Sequence, residues 1–171
     1  YTYLDSEFNV TRRDGAVPIP IGGYNYPNLE ISFRNSFFNE FTYFFEVGGG
    51  QFFNGTKKSI QARIGYRIEP IVQTSLNISY DKIELPKPYD NAGLWLIGPK
   101  INFTFSKKLF WSNYIQYSNI GESLGINSRL QWRFAPLSDF YLVYNDNYFA
   151  SDIFAPKLRS LTFKLSYWFN I

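Results

Sequence analysis

The sequence predicts an all-β fold: an antiparallel, up-and-down transmembrane β-barrel. About ten strands are expected here, either closing alone or forming the C-terminal part of a larger barrel, and residues 1–171 form a single domain. Three observations carry this. Apolar and polar residues alternate with a period of two along most of the chain, as in strands with one greasy and one wet face. The alternating runs are mostly nine to thirteen residues long. That suits a tilted membrane strand of about 9 to 11 residues better than the ~5 to 6 usual in soluble proteins. Short and long connections also alternate, as periplasmic turns and extracellular loops do in outer-membrane barrels.

Taken in order, strands are predicted near 1–11, 29–37, 40–52, 58–68, 71–83, 92–105, 109–118, 126–134, 139–149 and 159–171. Asn39 and its neighbours, Glu69-Pro70, Ser106-Lys107-Lys108 and Ala135-Pro136-Leu137-Ser138 read as tight turns. Longer loops are expected at 12–28, 53–57, 84–91, 119–125 and 146–158. An even number of strands would put both chain ends on the periplasmic side. Gly48-Gly49-Gly50 reads as a bend or bulge near the outer rim. Pro99, on the apolar side of its strand, lacks a ladder donor and implies an edge, a bulge or a strand end. Strand 109–118 is ambiguous, because Trp111, Ile115 and Tyr117 share a side with Asn113 while Phe110 and Tyr114 lie opposite.

The two faces differ sharply. One carries Phe41, Tyr43, Phe45 and Val47, then Trp95, Ile97, Ile101, Phe103 and Phe105, then Leu130, Trp132 and Phe134. Ten such faces would overfill a small soluble barrel of the lipocalin type, which turns its apolar side inward. Facing lipid, they need no packing partner. The opposite face holds the expected lumen-facing set: Glu30, Arg34, Glu46, Arg63, Arg67, Lys100, Arg129, Arg133 and Lys164. Cations outnumber carboxylates there. The set reads either as a wall held by Arg–Glu pairs and amide hydrogen bonds, or as an electropositive lining that favours anions. Ten strands closing alone would leave little free lumen.

The final strand, Leu161–Ile171, alternates to its last residue. Tyr167, Phe169 and Ile171 form a terminal aromatic-apolar ladder of the kind that barrel-assembly machinery reads.

Composition narrows the chemistry. Aromatic residues make up 21% of the chain, and they favour strands and membrane interfaces. No apolar run approaches the ~18 to 20 residues of a membrane helix. The net charge of +3 comes from scattered cations, with pairs at Arg12-Arg13, Lys57-Lys58 and Lys107-Lys108, which predicts no nucleic-acid partner. With no cysteine there are no disulfides or thiolate sites, and with no histidine there is no Ser-His-Asp triad and no imidazole ligand. An enzyme is not predicted, nor a cofactor or metal. Carboxylate pairs such as Asp5 with Glu7 or Asp146 with Asp152 read as solvated loop acids. The sequons at Asn9, Asn54, Asn77 and Asn102 carry little meaning in a bacterial protein.

Gly125-Ile-Asn-Ser-Arg-Leu-Gln-Trp-Arg-Phe-Ala-Pro-Leu-Ser-Asp-Phe-Tyr-Leu-Val-Tyr-Asn-Asp146, together with Gly50-Gln-Phe-Phe-Asn-Gly-Thr56, resembles the C-terminal barrel region of a Bacteroidota family. Its members are large outer-membrane proteins of unknown function, often labelled carbohydrate-binding family 9-like domain-containing proteins. The resemblance covers about residues 50–171. It implies a sugar-binding-like domain ahead of the barrel in a longer protein, and it supplies no catalytic residues.

The expected place is therefore the bacterial outer membrane, with a pore, transport or structural role around a basic lumen. The expected partners are outer-membrane lipid, the assembly machinery during insertion and other envelope proteins. One alternative is a membrane anchor or accessory subunit of a larger complex. A soluble lipocalin-like barrel is the second.

Overall fold

The computed structural model describes residues 2–10, 15–149 and 152–169, excepting the side chains of 152–154 and 156. Every regular element among them is a strand. After two short strands, β1 (Thr2–Leu4) and β2 (Gly22–Tyr24), come β3 (Asn28–Arg34), β4 (Phe41–Phe52), β5 (Gly55–Ile68), β6 (Val72–Glu84) and β7 (Ala92–Ser106). The rest are β8 (Leu109–Ser118), β9 (Ser123–Ala135), β10 (Ser138–Phe149) and β11 (Asp152–Ser166).

Strands β3 to β11 form one antiparallel sheet in strict sequence order, each hydrogen-bonded to the next. The meander is open, with β3 and β11 at its edges. Nine of the ten expected strands are thus in the sheet, with register shifts only near 104–106, 138–139 and 147–149.

The expected first strand, 1–11, is not a wall strand. Thr2–Leu4 pairs instead with Gly22–Tyr24, and Phe8 bridges to Ile19. Pro18 and Pro20 flank the bridge and withhold ladder donors, so this segment folds back locally. Nine sheet strands rather than ten also undo the expectation that both ends share a side. The chain enters β3 at the upper end, which holds 85–91, and leaves β11 at the lower end, which holds 107–108 and 136–137.

The connections at Asn35–Glu40, Glu69–Ile71, Lys107–Lys108 and Pro136–Leu137 match the expected turns, with Leu137 at φ 55°. The expected long loops mostly do not form. At 53–57 there is a two-residue turn, Phe53-Asn54, with Phe53 at φ 52°. At 119–125 only four residues lie outside strands, and the 146–158 region largely continues the β10–β11 ladder. Ladder pairing satisfies backbone groups that an open loop would leave to water, and those stretches carry alternating side chains able to use it.

Two local expectations are also corrected. Gly48, Gly49 and Gly50 pair in regular register with β3 and β5 and form no bulge. The strand needs glycine for another reason: a Cβ on Gly50 would stand 2.2 Å from the Pro27 carbonyl oxygen. Pro99 sits neither at an edge nor at a strand end. It lies mid-β7 opposite Leu76, and the ladder to β8 simply lapses at Gly98 and Pro99.

Candidate functional site

Register fixes which side chains share a face, because directly opposed residues point the same way. One row runs Thr42, Gly65, Ser75, Lys100, Tyr114, Asn127, Asn145, Ser160 across eight strands. The next runs Arg67, Gln73, Asn102, Ser112, Arg129, Val143, Thr162. Followed across all strands, Glu30, Arg34, Glu46, Arg63, Arg67, Lys100, Arg129, Arg133 and Lys164 fall on one face. The face is polar over most of its area because most of the alternate residues of each strand that point to it are polar.

Its hydrogen bonds are mostly the expected amide and hydroxyl contacts, with few of the expected Arg–Glu pairs. Arg63 Nε donates to Asn77 Oδ1 at 2.6 Å, and the Asn127 amide donates to Asn145 Oδ1. Arg133 Nε lies 3.3 Å from Asp139 Oδ1, which also accepts from Gln131 at 3.1 Å. Arg67 pairs with Glu69 in the adjoining turn at 3.3 Å, and Lys57 with Asp81 at 3.1 Å. Among the described residues, the side chains of Glu46, Lys100, Arg129 and Lys164 form no hydrogen bond or ion pair. Shallow cavities run along this face. One of about 320 Å³ is lined by Arg63, Asn77 and Tyr114, and another of about 330 Å³ by Lys100, Ser112, Asn127 and Arg129.

At the upper end the same face turns apolar, which the alternation did not announce. Ile83, Leu85 and Ala92 are buried there against Ile19, the most buried apolar side chain. Leu4, Val10 and Tyr24 from the N-terminal segment pack around them. Phe53 meets Tyr24 and Tyr26 edge-on at 4.8 and 5.3 Å. The segment before β3 therefore lies over the polar face at its upper end. Burial pushes the Tyr26 phenol above its ordinary pKa, and its hydroxyl has no partner.

The opposite face is largely apolar, exposed toward both edges and half-buried over β6 and β10. Rows such as Ile31–Val47–Ile60–Tyr80–Trp95 and Phe103–Trp111–Leu130–Leu142–Phe163 cross it. Phe33, Phe163 and Leu165 stand 65%, 64% and 67% exposed. On this face, against expectation, is Asp146. Asp146 falls where the expected strand 139–149 and the expected 146–158 loop overlap and reads there as a solvated acid, but it sits inside β10 with no exposed surface. Its Oδ2 accepts from Arg159 Nε at 2.7 Å, from the Tyr148 hydroxyl at 2.6 Å and from the Tyr144 hydroxyl. Its Oδ1 has no hydrogen-bond partner among the described residues. Arg159 also donates to the Tyr148 hydroxyl at 3.1 Å. Parity was the missed signal, since Tyr144, Asp146 and Tyr148 continue the side of Phe140 and Leu142.

Two expected features stand partly apart from this. Tyr167 and Phe169 follow β11 and pack on each other at 4.5 Å, with Tyr167 also stacked on Phe134. Ile171, Arg12, Arg13 and the side chain of Asp152 lie outside the described residues.

No protein-family model, curated protein or solved structure matches this chain.

Proposed function

We propose that the sheet is the wall of an outer-membrane β-barrel, with its polar face lining an aqueous lumen and its apolar face against lipid. The observation that carries this is the apolar face, which crosses nine strands and carries most of the exposed large hydrophobic side chains. Soluble proteins rarely expose apolar patches beyond a few hundred Å², and only four hydrophobic side chains are buried among the described residues. A soluble lipocalin-like barrel would bury that face instead.

Register adds a second, independent support. Thr42 adjoins the first residue of β4, whereas Asn127, on the same row, lies eight residues from the last residue of β9. That drift is about seven residues over five strands. At ~3.3 Å per residue and ~4.8 Å between strands it inclines the strands by about 45° to the line of their ends. Barrel strands in outer membranes tilt by ~35 to 45°. Along β5, from Lys58 to Ile68, the apolar side then spans about 25 Å of membrane depth, the usual height of the band. Tyr80 and Trp95, in tilted contact at 4.3 Å, form an aromatic step between that band and Lys58, Lys82 and Glu84. The family resemblance over residues 50–171 points to the same place.

The role that follows is passage or support around a basic lumen. Brominated lipid tests the wall. With the other tryptophans changed to Phe, Trp132 in a folded, vesicle-bound chain is expected to be strongly quenched, and an unquenched Trp132 refutes the reading. Single-channel conductance tests the lumen. An anion preference that survives Arg129→Glu/Arg133→Glu would remove the electropositive lining from the proposal.

The open edges favour a second reading. Strand β3 is exposed at all seven residues, and β11 has an unpaired side, so both offer ladder groups to other strands. On that reading the chain anchors or completes a larger envelope assembly and conducts nothing by itself.

A further inference from the structure

We infer that Lys100 and Arg129 form an oxyanion subsite on the polar face, built to take a phosphate or carboxylate group of a small solute. Both line the same cavity of about 330 Å³, with Ser112, Tyr114 and Asn127 between and beside them. Lys100 is on β7 and Arg129 on β9, one register row apart. Strand geometry puts their Cα atoms about 12 Å apart. Side chains of that length can converge over β8 from either side, leaving room between their heads for one oxyanion.

Position separates this pair from the other cations of the face: Arg34, Arg63 and Lys164 also lack a carboxylate partner among the described residues, but none of them lines this cavity. Arg67, Arg133 and Lys57 each have a carboxylate within ion-pair distance. Lys100 and Arg129 have none, and the two register rows that hold them contain no Asp or Glu in any strand. Two cations therefore flank one cavity whose lining holds no carboxylate, and a bound anion pairs with both. The neighbours suit that anion. Ser112 and Tyr114 supply hydroxyl donors and Asn127 an amide, while the guanidinium can meet an oxyanion with two N–H groups. The Tyr114 ring lies over Gly98, where a Cβ would stand 2.9 Å from its hydroxyl, so glycine is what lets that ring lie flat along the cavity.

The subsite deepens the lumen reading and rests on it for how a solute reaches the polar face. Its test is kept apart from membrane insertion. The full chain in nonionic detergent at low ionic strength is titrated with inorganic phosphate and followed by ³¹P relaxation. Saturable binding is expected, weakened at least tenfold by Lys100→Gln/Arg129→Gln. Arg133→Gln, whose cation already belongs to Asp139, is expected to change it less than twofold. Arg129→Lys, which keeps the charge, is expected to restore part of the loss and confirms that the fold is intact. No saturable binding by the parent chain, or equal weakening by Arg133→Gln, overturns the subsite. If Trp132 escapes lipid quenching while phosphate still depends on Lys100 and Arg129, the membrane wall fails and the subsite stands. If Trp132 is quenched and phosphate does not bind, only the subsite fails.

Discussion

Between β3 and β7 the middle of the apolar face is built from Ile, Leu, Val, Phe, Tyr, Trp95, Ala62 and Pro99, with Thr74 as its one polar interruption. Between β8 and β11 the same face carries Asn113, Ser128, Tyr144, Asp146 and Arg159. The second half is not simply wetter. Trp111 Nε1 donates to Ser128 Oγ at 2.9 Å, and Ser128 donates on to Asn113 Oδ1 at 2.7 Å. Asp146 takes three donors on one oxygen. Most of these polar groups are tied to one another. Polar atoms are thus admitted to an apolar face where cross-strand neighbours satisfy them. The exception is Arg159, 55% exposed beside a fully buried Asp146. On the membrane reading, that guanidinium belongs at headgroup level, where long cationic side chains settle.

The contrast can be broken by swapping the character of its halves. The largest effect is expected from Ile64→Arg, which sets an unpaired cation in the middle of the apolar half. On the membrane reading it costs about 2 to 4 kcal/mol, the penalty for Arg at mid-depth on a lipid-facing strand. Urea titration of the vesicle-inserted chain measures it, and a near-neutral result would mean that this half does not face hydrocarbon. Asp146→Ala comes next. It leaves Arg159 and two tyrosine hydroxyls without their shared acceptor, and the folded-to-unfolded ratio is expected to fall roughly tenfold. Asp146→Leu/Arg159→Leu removes both charges together and is expected to recover most of that loss, since apolar replacement of a whole ion pair is often neutral. If the double variant is worse than the single one, the pair is doing more than satisfying itself. Ser128→Ala is the smallest, at about 1 kcal/mol for a lost hydrogen-bond relay. A red-shifted Trp111 emission would accompany it as the indole N–H is released.

The alternation made most of this legible. Nine strands and the common face of the nine charged residues follow from a period of two, because a strand leaves no other choice of side. What escaped was non-local. Asp146 looks like a loop acid until Arg159 lies opposite it, and that pairing depends on a ladder continuing beyond 146. Thr2–Leu4 alternates well enough to be called a wall strand, but its partner Gly22–Tyr24 lies within reach of a short local return. Lys100 and Arg129 are twenty-nine positions apart, and only the register of β8 between them puts them around one cavity. Closure lies outside what any single strand can encode, because it is a property of the two edges.

Those edges have a polarity. With nine strands in an antiparallel meander, β3 and β11 run in the same direction. Joined to each other they would make the one parallel seam in an otherwise antiparallel cylinder, with slanted and slightly weaker ladder bonds. A cylinder with no such seam must add an odd number of strands between them, whatever molecule supplies those strands. Counting the strands of any assembly that contains this chain therefore says how it is sealed. An even total permits a uniform wall, and an odd total requires a parallel seam outside the β3–β11 meander.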